Sequence, residues 1–388
     1  MKLLVISYKT CWPQPLSPSG YATDGGFSFQ MRALSELFDF TVLLLPCVSK
    51  SKGSGEIPLG GNNLSVVPLT PPRGSGLLRK LILPVWFLSN SLRLLREISR
   101  ADAVHAPIPG DVSTIGMLLA FAFRRPLFVR HCGNWLVQTT LAEQFWKWFM
   151  ETVAGGKNIC LATGSHPEPP SQRNSAIKWI FATTLTEREI ESCSTNREQF
   201  PLKSPRLIIT CRQEKEKGTG VVIESLPILL SEFPGIAFDV VGDGGDLHHF
   251  QQLAASLRIS DRVVFHGQVN HEDVIRLLRQ ADLFCFPTIS SEGFPKAVVE
   301  AMACGLPVIT TKISALPQLI GNGCGVLLDK ATPPIMANAV RQCLTDKEKY
   351  QGMSEQAMIK AKQYSLEKWR DVIGRELGAT WGQLRSNA

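Results

Sequence analysis

Residues 281–309, with the sequence ADLFCFPTISSEGFPKAVVEAMACGLPVI, are the most informative stretch of the chain. An apolar run of strand length is followed by a polar loop, a segment of helical length and a second apolar run. Pro295 suits the first turn of the helix, Gly305 suits a left-handed residue just past its end, and Pro307 follows soon after. The stretch therefore predicts a strand, a loop, a helix and a second strand, which is the repeating unit of a parallel α/β sheet.

The same alternation extends from this stretch towards both ends of the chain. Apolar runs of strand length fall between segments of helical periodicity, which indicates βαβ units and mostly parallel sheets. The predicted strands are residues 2–7, 41–46, 64–68, 103–105, 127–131, 158–162, 206–211, 236–242, 262–267, 283–287, 307–311 and 325–328. Since 388 residues exceed one core, we predict an α/β protein of two Rossmann-like doubly wound domains that face a cleft.

The domain boundary falls where Pro, Ser and Asn interrupt this rhythm, so we place a linker within residues 163–205. The N-terminal domain is predicted at 1–182 and the C-terminal domain at 183–365. Residues 366–388 are predicted to form a helical segment that packs across the domains, with the C-terminal helix crossing back to the N-terminal one.

Two acidic residues in the opening stretch are candidates for sugar binding. Glu292 lies in the loop and Glu300 lies in the helix, so both can face the crevice at the carboxyl end of a parallel sheet. Carboxylates there suit sugar and ribose hydroxyls, while Gly293 and the free N–H groups at the helix start suit a diphosphate. Taken alone, each glutamate also fits a plain helix-start acid or a solvated helix residue.

The turn after residues 206–211 contributes cations. Arg212 and Lys217 stand between a strand and a helix, where two positive charges can hold a diphosphate and offset the charge that develops as it leaves. The alternative is a solvated run of mixed charges.

The order of these motifs is more specific than any one of them. Arg212 and Lys217-Gly218 are followed by VGDG at 241–244, VFHG at 264–267 and the pair Glu292-x7-Glu300. This order resembles the family-4 retaining glycosyltransferases of GT-B fold, also called glycosyltransferase group 1, over nearly all of residues 206–330. One departure is Cys211, which stands where that family usually has glycine.

The resemblance implies a role for each motif residue in binding a nucleotide-diphosphate sugar. It implies that Arg212 and Lys217 bind the diphosphate, that Glu300 binds the ribose and that Glu292 binds the transferred sugar. The backbone near Gly267 is expected beside the base. The remaining donor-binding residues are predicted at the helix start, Gly293, Phe294 and Pro295. The resemblance further implies same-face transfer of a hexosyl group with retention and no covalent nucleophile, with neither a cofactor nor a metal.

The N-terminal half offers two further site predictions. Gly25-Gly26 matches the family's glycine pair, which approaches the donor diphosphate from the opposite domain, although a plain turn fits too. His131 ends a predicted strand and is similar in position to the family's active-site histidine; a structural histidine is the alternative. His105 also ends a predicted strand. The loop from Gly20 lacks the lysine of a phosphate-binding ATPase loop.

The positive charge is concentrated in the first half, with a net +8 for residues 1–182 and −1 for residues 183–388. Residues 73–100 hold six basic residues against one acidic residue. With Trp86 and Phe87, this segment is a candidate for contact with an anionic membrane surface near a lipid-linked acceptor. The alternative is a helix that packs its leucine face on the sheet. The sequence shows neither a secretory signal nor a membrane span, so we expect a cytoplasmic protein, peripheral on the inner membrane face if this contact forms.

Other functions fit less well. A nucleotide-sugar epimerase of the same architecture and a non-catalytic nucleotide-sugar-binding protein stay open. A nicotinamide-dependent oxidoreductase is disfavoured because residues 242–247 lack the third glycine of the dinucleotide motif. Neither nucleic-acid binding nor a zinc or disulfide framework is indicated. The acceptor (glycan, lipid-linked or small molecule), the sugar and the base (UDP or GDP) cannot be read from these residues.

Overall fold

A computed structural model describes residues 1–49, 56–193 and 204–386 of the chain. It divides into two compact units, each an α/β sandwich around its own parallel sheet. The first unit comprises Met1–Gly164, Glu168–Thr184 and Leu366–Ala388, and the second comprises Ser165–Pro167 and Leu185–Ser365. Apart from Ser165–Pro167, the main chain leaves the first unit after Thr184, two residues later than the predicted boundary, and returns to it at Leu366. Residues 194–203 of the predicted linker lie outside the described part.

The first unit contains a seven-stranded parallel sheet with strand order β10-β9-β8-β7-β1-β4-β6, and a small antiparallel sheet of order β2-β3-β5. The strands are β1 (Lys2–Ile6), β2 (Trp12–Pro13), β3 (Tyr21–Thr23), β4 (Phe40–Pro46), β5 (Ile57–Pro58), β6 (Leu64–Leu69), β7 (Ala103–Ile108), β8 (Leu127–His131), β9 (Asn158–Thr163) and β10 (Lys178–Ile180). Central strands such as β1 are apolar and buried after their first residue because helices cover both faces. The short strands β2, β3, β5 and β10 were not predicted.

Four helices of this unit follow in chain order. They are α1 (Phe27–Ser35), α2 (Gly76–Arg100), α3 (Asp111–Ala122) and α4 (Leu141–Val153). One face of the sheet packs against α2, α3 and α4 through residues such as Trp86, Met117 and Phe149. The other face packs against α1. The Thr140 and Glu143 side chains form a capping box that fixes the start of α4.

The second unit repeats this architecture on a six-stranded sheet of order β13-β12-β11-β14-β15-β16. Its strands are β11 (Arg206–Thr210), β12 (Ala237–Val241), β13 (Val263–Gly267), β14 (Leu283–Phe286), β15 (Val308–Thr311) and β16 (Gly325–Leu328). Its helices are α5 (Glu187–Cys193), α6 (Thr219–Leu229), α7 (Leu247–Ser256), α8 (His271–Gln280), α9 (Lys296–Ala303), α10 (Leu316–Ile320), α11 (Pro333–Leu344) and α12 (Lys347–Ala361). The strand order reverses between β11 and β14, and ligands bind in the crevice beside such a reversal in doubly wound folds.

The last helix, α13 (Leu366–Trp381), crosses back and packs on the first unit. It buries Trp369, Ile373 and Leu377 in the core cluster that also contains α1. Arg130 of β8 lies over the Trp369 ring, 5.0 Å from its centroid. The predicted return of this helix to the N-terminal domain is therefore confirmed.

Two local expectations were wrong. Pro295 occupies the N-cap position of α9, whose first helical residue is Lys296. Trp86 is buried and donates from Nε1 to the Thr70 carbonyl, while Phe87 packs against the core, so neither ring is the outward contact expected for residues 73–100. Within the described residues, no helix combines the length and apolarity that crossing a membrane requires.

Candidate active site

The candidate site of the second unit forms where β11 and β14 end side by side. Leu207 pairs with Leu283 in parallel register, so the turn at 211–218 and the loop at 287–295 leave the same edge of the sheet. The Glu216 carbonyl ties the two segments together, accepting from the Ile289 N–H at 2.8 Å and from the Thr288 hydroxyl at 3.1 Å. The turn and the loop therefore form one bonded surface.

Lys217 and Glu292 meet on this surface. The Lys217 Nζ lies 2.5 Å from Glu292 Oε1 and 3.1 Å from Ser290 Oγ, and both charged side chains stay partly exposed. An ammonium group and a carboxylate held together at a strand edge can bind a phosphate oxygen and a sugar hydroxyl respectively. The structure thus brings together two residues that are 75 positions apart in the sequence.

Gly218 allows Lys217 to take this position. Its φ is +91°, and a Cβ atom there would lie 2.4 Å from the Pro287 carbonyl oxygen. Only glycine combines this left-handed conformation with such a close approach of two backbone segments. The Lys217-Gly218 motif therefore has a structural reason in addition to the charge.

Gln213 is a positioning residue that sequence reasoning missed. Its buried Nε2 donates to the Val241 carbonyl and to the Cys211 carbonyl, each at 3.1 Å, and its Oε1 accepts from the Thr219 hydroxyl at 2.7 Å. These bonds hold the turn against β12 and the start of α6. Within the charged run RQEKEK the glutamine resembles a solvated residue, so the sequence carried no signal for this role.

A cavity of about 390 Å³ opens at the same edge of the sheet. Its lining residues come from the ends of β11, β12 and β13 and from α8 and α9: Thr210, Cys211, Arg212, Val241, Gly242, Asp243, Gln268, Val269, Val274, Ala297 and Glu300. The valines and polar groups of this lining suit a ligand with a flat apolar part and a hydroxylated part.

Glu300 is the carboxylate that helix α9 contributes to this cavity, which Asp243 also lines. Its side chain is 14% exposed, and the His271 Nδ1 lies 4.0 Å from Oε1. Burial raises the pKa of the Glu300 carboxyl above its ordinary value, although the charges of His271 and Lys296 oppose this effect. A carboxyl in such a setting gains from the hydroxyl donors that a ribose would supply.

Arg212 lines the cavity with an exposed side chain, and its Nη1 lies 3.1 Å from Glu214 Oε1. Such a solvent-exposed ion pair is weak, so the guanidinium can turn towards an anion at little cost. The four predicted residues thus form two neighbouring sets: Arg212 and Glu300 line the cavity, whereas Lys217 and Glu292 pair on the adjoining turn and loop.

The predicted residues at the start of α9 differ in what they present. Phe294 is buried with its ring 5.4 Å from the Tyr364 ring, so its side chain belongs to the core. Pro295 is buried at the N-cap, and Gly293 lies in the bend before it. Gly267 ends β13 with φ +63° and open space where a Cβ would stand. For these residues, backbone atoms are what a ligand can meet.

In the first unit, His131 ends β8 and is almost fully buried. Its ring stands edge-on to Trp135 at 5.4 Å, and burial lowers its pKa to about 4. His105 is fully buried, stacks on Phe128 and shares a 3.0 Å hydrogen bond between Nδ1 and the Phe128 carbonyl. His105 is therefore a core residue, and the ring of His131 is neutral at pH 7.

Gly25 and Gly26 form the turn that leads into α1. Gly25 has φ +64°, and Gly26 is the N-cap residue. Lys9 pairs with Asp24 beside this turn. A left-handed glycine before a helix start leaves the backbone open to a ligand. The donor-binding role of this pair remains a prediction.

The chain resembles known proteins in sequence and in fold. Residues 194–359 match the family model of glycosyl transferases group 1. The alpha-D-kanosaminyltransferase of Streptomyces kanamyceticus is 25% identical over 316 residues, which cover 76% of this chain and 82% of that protein. The phosphatidylinositol N-acetylglucosaminyltransferase GPI3 subunit of Saccharomyces cerevisiae is 28% identical over 151 residues, 39% of this chain and only 33% of the subunit.

Among solved structures, that of Anabaena Alr3699/HepE in complex with UDP and glucose superimposes with a TM-score of 0.71. The alignment covers 97% of this chain and 99% of that one at 18% identity, so it supports the fold alone. The matched segment contains the turn with Lys217, the loop with Glu292 and the helix with Glu300. Residues 194–359 therefore match the group 1 glycosyltransferases, and the chain has the GT-B fold.

Proposed function

We propose that this glycosyltransferase moves a hexosyl group from a nucleotide-diphosphate sugar to a hydroxyl of a glycan, lipid-linked or small-molecule acceptor, with retention of the anomeric configuration. The observation that carries the proposal is the Lys217–Glu292 pair beside a cavity that ends on Glu300. A cation for the diphosphate, a carboxylate for the sugar and a second carboxylate for the ribose stand at one sheet edge.

In the proposed arrangement, the nucleoside occupies the cavity with its ribose hydroxyls on Glu300. The diphosphate then extends towards Arg212 and Lys217, and the sugar reaches Glu292. Lys217 exchanges part of its contact with Glu292 for a phosphate oxygen, so the loop and the turn both bind the donor. These two cations supply the positive charge that the leaving diphosphate needs, and we infer that the reaction requires no metal ion.

In the proposed step, the acceptor oxygen bonds to the anomeric carbon on the face from which the diphosphate departs. The bond between that carbon and the diphosphate oxygen breaks, and the acceptor proton passes to the departing oxygen. Because no side chain forms a bond to the sugar, charge stabilisation and positioning carry the rate. We assign Gly25 and Gly26 to a backbone contact with the diphosphate and His131, as a neutral ring, to a hydrogen bond with sugar or acceptor.

The test is turnover of a panel of nucleotide sugars, beginning with UDP- and GDP-hexoses in the presence of EDTA. We expect donor hydrolysis by wild type, its loss in Lys217→Ala and Glu292→Ala, and its retention in Lys215→Ala, an exposed cation of the same turn. NMR of the first-formed product should show the anomeric configuration of the donor.

Three results would overturn the proposal. An isomerised nucleotide sugar formed without acceptor would indicate the epimerase. Binding without turnover of any donor, with or without candidate acceptors, would indicate a non-catalytic protein. A product of inverted configuration would exclude the same-face mechanism while leaving the donor site intact.

A further inference from the structure

Helix α2 of the first unit has two apolar faces. Its inner face buries Trp86, Leu94 and Ile98 against the sheet. Its outer face carries five large aliphatic side chains that are between 58% and 83% exposed: Leu78, Leu81, Val85, Leu88 and Leu92. We call these five residues the α2 stripe. A helix on a protein surface ordinarily turns polar residues outward, so the stripe is unusual in a packed unit.

The spacing places the stripe on one line. The intervals between its members alternate between three and four residues, which keeps successive side chains on the same side of a helix. With a rise of 1.5 Å per residue, the stripe runs for about 21 Å along α2. A continuous exposed apolar surface is typical of an interaction site, whereas single exposed leucines are common on protein surfaces.

Neighbouring helices of the same layer add to this exposed apolar area. Helix α3 and the residue after it expose Leu118, Phe121 and Phe123, and α4 exposes Leu141 and Trp148. Among the described residues, 12 of the 21 exposed large hydrophobic side chains lie between residues 78 and 148. The exposed apolar surface is therefore concentrated on the α2–α3–α4 layer.

The charges around the stripe are mainly positive. Lys80 lies within its N-terminal half, and Arg96 continues its line one turn beyond Leu92, with Arg100 near by; all three are exposed. Residues 73–125 contain eight basic and three acidic residues. Two of these acids are bound within the unit, since Glu97 pairs with Lys2 and Asp111 pairs with Arg79. The uncompensated charge beside the stripe is thus cationic.

A cavity of about 370 Å³ adjoins the stripe at Val85. Its lining includes Thr70, Arg73 and Ser89 beside apolar residues of α2. A cation and two hydroxyl-bearing residues at the margin of an apolar surface suit a phosphate group that carries hydrocarbon chains.

We propose that the α2 stripe docks this protein on an anionic lipid surface. The five aliphatic side chains enter the boundary between headgroups and acyl chains, while Lys80, Arg96 and Arg100 contact lipid phosphates. An anionic bilayer combines an apolar interior with a negatively charged surface. Association of two copies through this face would instead bring cationic side chains close together, which is unfavourable. The contacts differ from those expected from the sequence, because Trp86 and Phe87 face the protein core.

The test is flotation of the full chain with vesicles of phosphatidylcholine, alone or mixed with phosphatidylglycerol. We expect wild type to float with the anionic vesicles, and the triple variant Leu81→Ser, Leu88→Ser, Leu92→Ser to bind at least about tenfold more weakly. The matched control is Leu16→Ser with Phe40→Ser, two exposed apolar residues of the same unit outside this layer, which should bind as wild type does. Arg96→Gln with Arg100→Gln should weaken binding and reduce its dependence on salt.

Equal binding of wild type to neutral and anionic vesicles, or no binding to either, would overturn the proposal. It would also fail if the triple variant floated like wild type while retaining the wild-type melting temperature. If light scattering showed a wild-type dimer, a monomeric triple variant and no vesicle binding, the stripe would be a contact between copies. Donor hydrolysis without vesicles should be unchanged in the triple variant, which separates this inference from the proposed donor chemistry.

Discussion

The carboxyl edges of the two sheets have the same topology and different chemistry. Each sheet reverses its strand order beside its first strand, between β11 and β14 in the second unit and between β1 and β7 in the first. Lys217 and Glu292 lie at the reversal of the second unit, where they form an ion pair with access to solvent. Beside the other reversal, on β8, His131 is a buried ring. The shared topology therefore provides a crevice in each unit, and the residues at its rim determine what it can bind.

The two sheet edges also differ in how their side chains affect the free energy of folding. Some charged groups at the second-unit edge lie near solvent, and burial disfavours the ionised form of Glu300. These groups therefore contribute little to folding stability and are suited to ligand binding. At the first-unit edge, a histidine that must stay neutral couples folding to pH. Four substitutions separate these two kinds of residue.

Lys217→Ala is expected to have the largest effect. Loss of the ammonium removes a diphosphate contact and leaves Glu292 without its partner, so kcat/KM for the donor should fall by about 10²- to 10³-fold. Steady-state hydrolysis of the nucleotide sugar measures this change, with Lys215→Ala as the control. Similar losses in both variants would mean that general charge, and not the Lys217 position, matters.

His131→Gln is expected to change the pH dependence of first-unit stability. Burial lowers the pKa of His131 to about 4 from an ordinary value of about 6.5, so the neutral ring stabilises the fold above pH 6.5 and this contribution is lost as pH falls towards 4. Wild type should therefore lose roughly 3 kcal/mol more than the variant across this window.

Tryptophan fluorescence during urea unfolding can measure this difference, because all eight tryptophans belong to the first unit. His248→Gln, at an exposed position of the second unit, should follow the wild-type curve. If His131→Gln lost as much stability as wild type between pH 7 and pH 4, the histidine would not be held neutral by burial.

Glu300→Gln should weaken donor binding and stabilise the unliganded protein. Loss of a charged acceptor for ribose hydroxyls should raise the Kd for the nucleoside diphosphate by about 10- to 50-fold. Because burial raises the pKa of Glu300, the ionised carboxyl disfavours the folded state, and that cost is absent below the unfolded pKa and complete above the folded one.

The apo variant should therefore melt above wild type at pH 7, and the difference should vanish below about pH 4.3. Differential scanning fluorimetry with and without nucleotide measures both effects. A lower melting temperature at pH 7 would show that Glu300 stabilises the fold, contrary to this account.

Cys211→Ala should have the smallest effect. Cys211 does not have a positive φ, although the related family usually has glycine there, and burial raises the pKa of its thiol to about 12. The thiol is therefore inert at neutral pH, and its weak contact with Gln213 Nε2 at 3.7 Å adds little. Donor kcat/KM should change by less than about threefold. A larger loss would make the cysteine part of the donor site.

The sequence predicted the main strands because central parallel strands are apolar runs bounded by turn residues. It also predicted which charged motifs meet at one edge, since β11 and β14 end together at the strand-order reversal. It missed Gln213, whose role depends on carbonyls of neighbouring strands. The prediction that Trp86 and Phe87 point outward from α2 was wrong. A helix that is apolar on both sides has no periodicity that distinguishes its packed face from its exposed face. The first-unit roles of Gly25, Gly26 and His131 stay predictions.

Whether these residues form a metal-independent diphosphate site is tested most directly by calorimetric titration of UDP, GDP and ADP, in the presence of EDTA, into wild type, Lys217→Ala, Glu300→Gln and Lys215→Ala. We expect one diphosphate to bind wild type and Lys215→Ala equally without metal, and to bind Lys217→Ala and Glu300→Gln at least about tenfold more weakly. Equal affinity of all four proteins, or binding by wild type that EDTA abolishes, would contradict a donor site built from these residues.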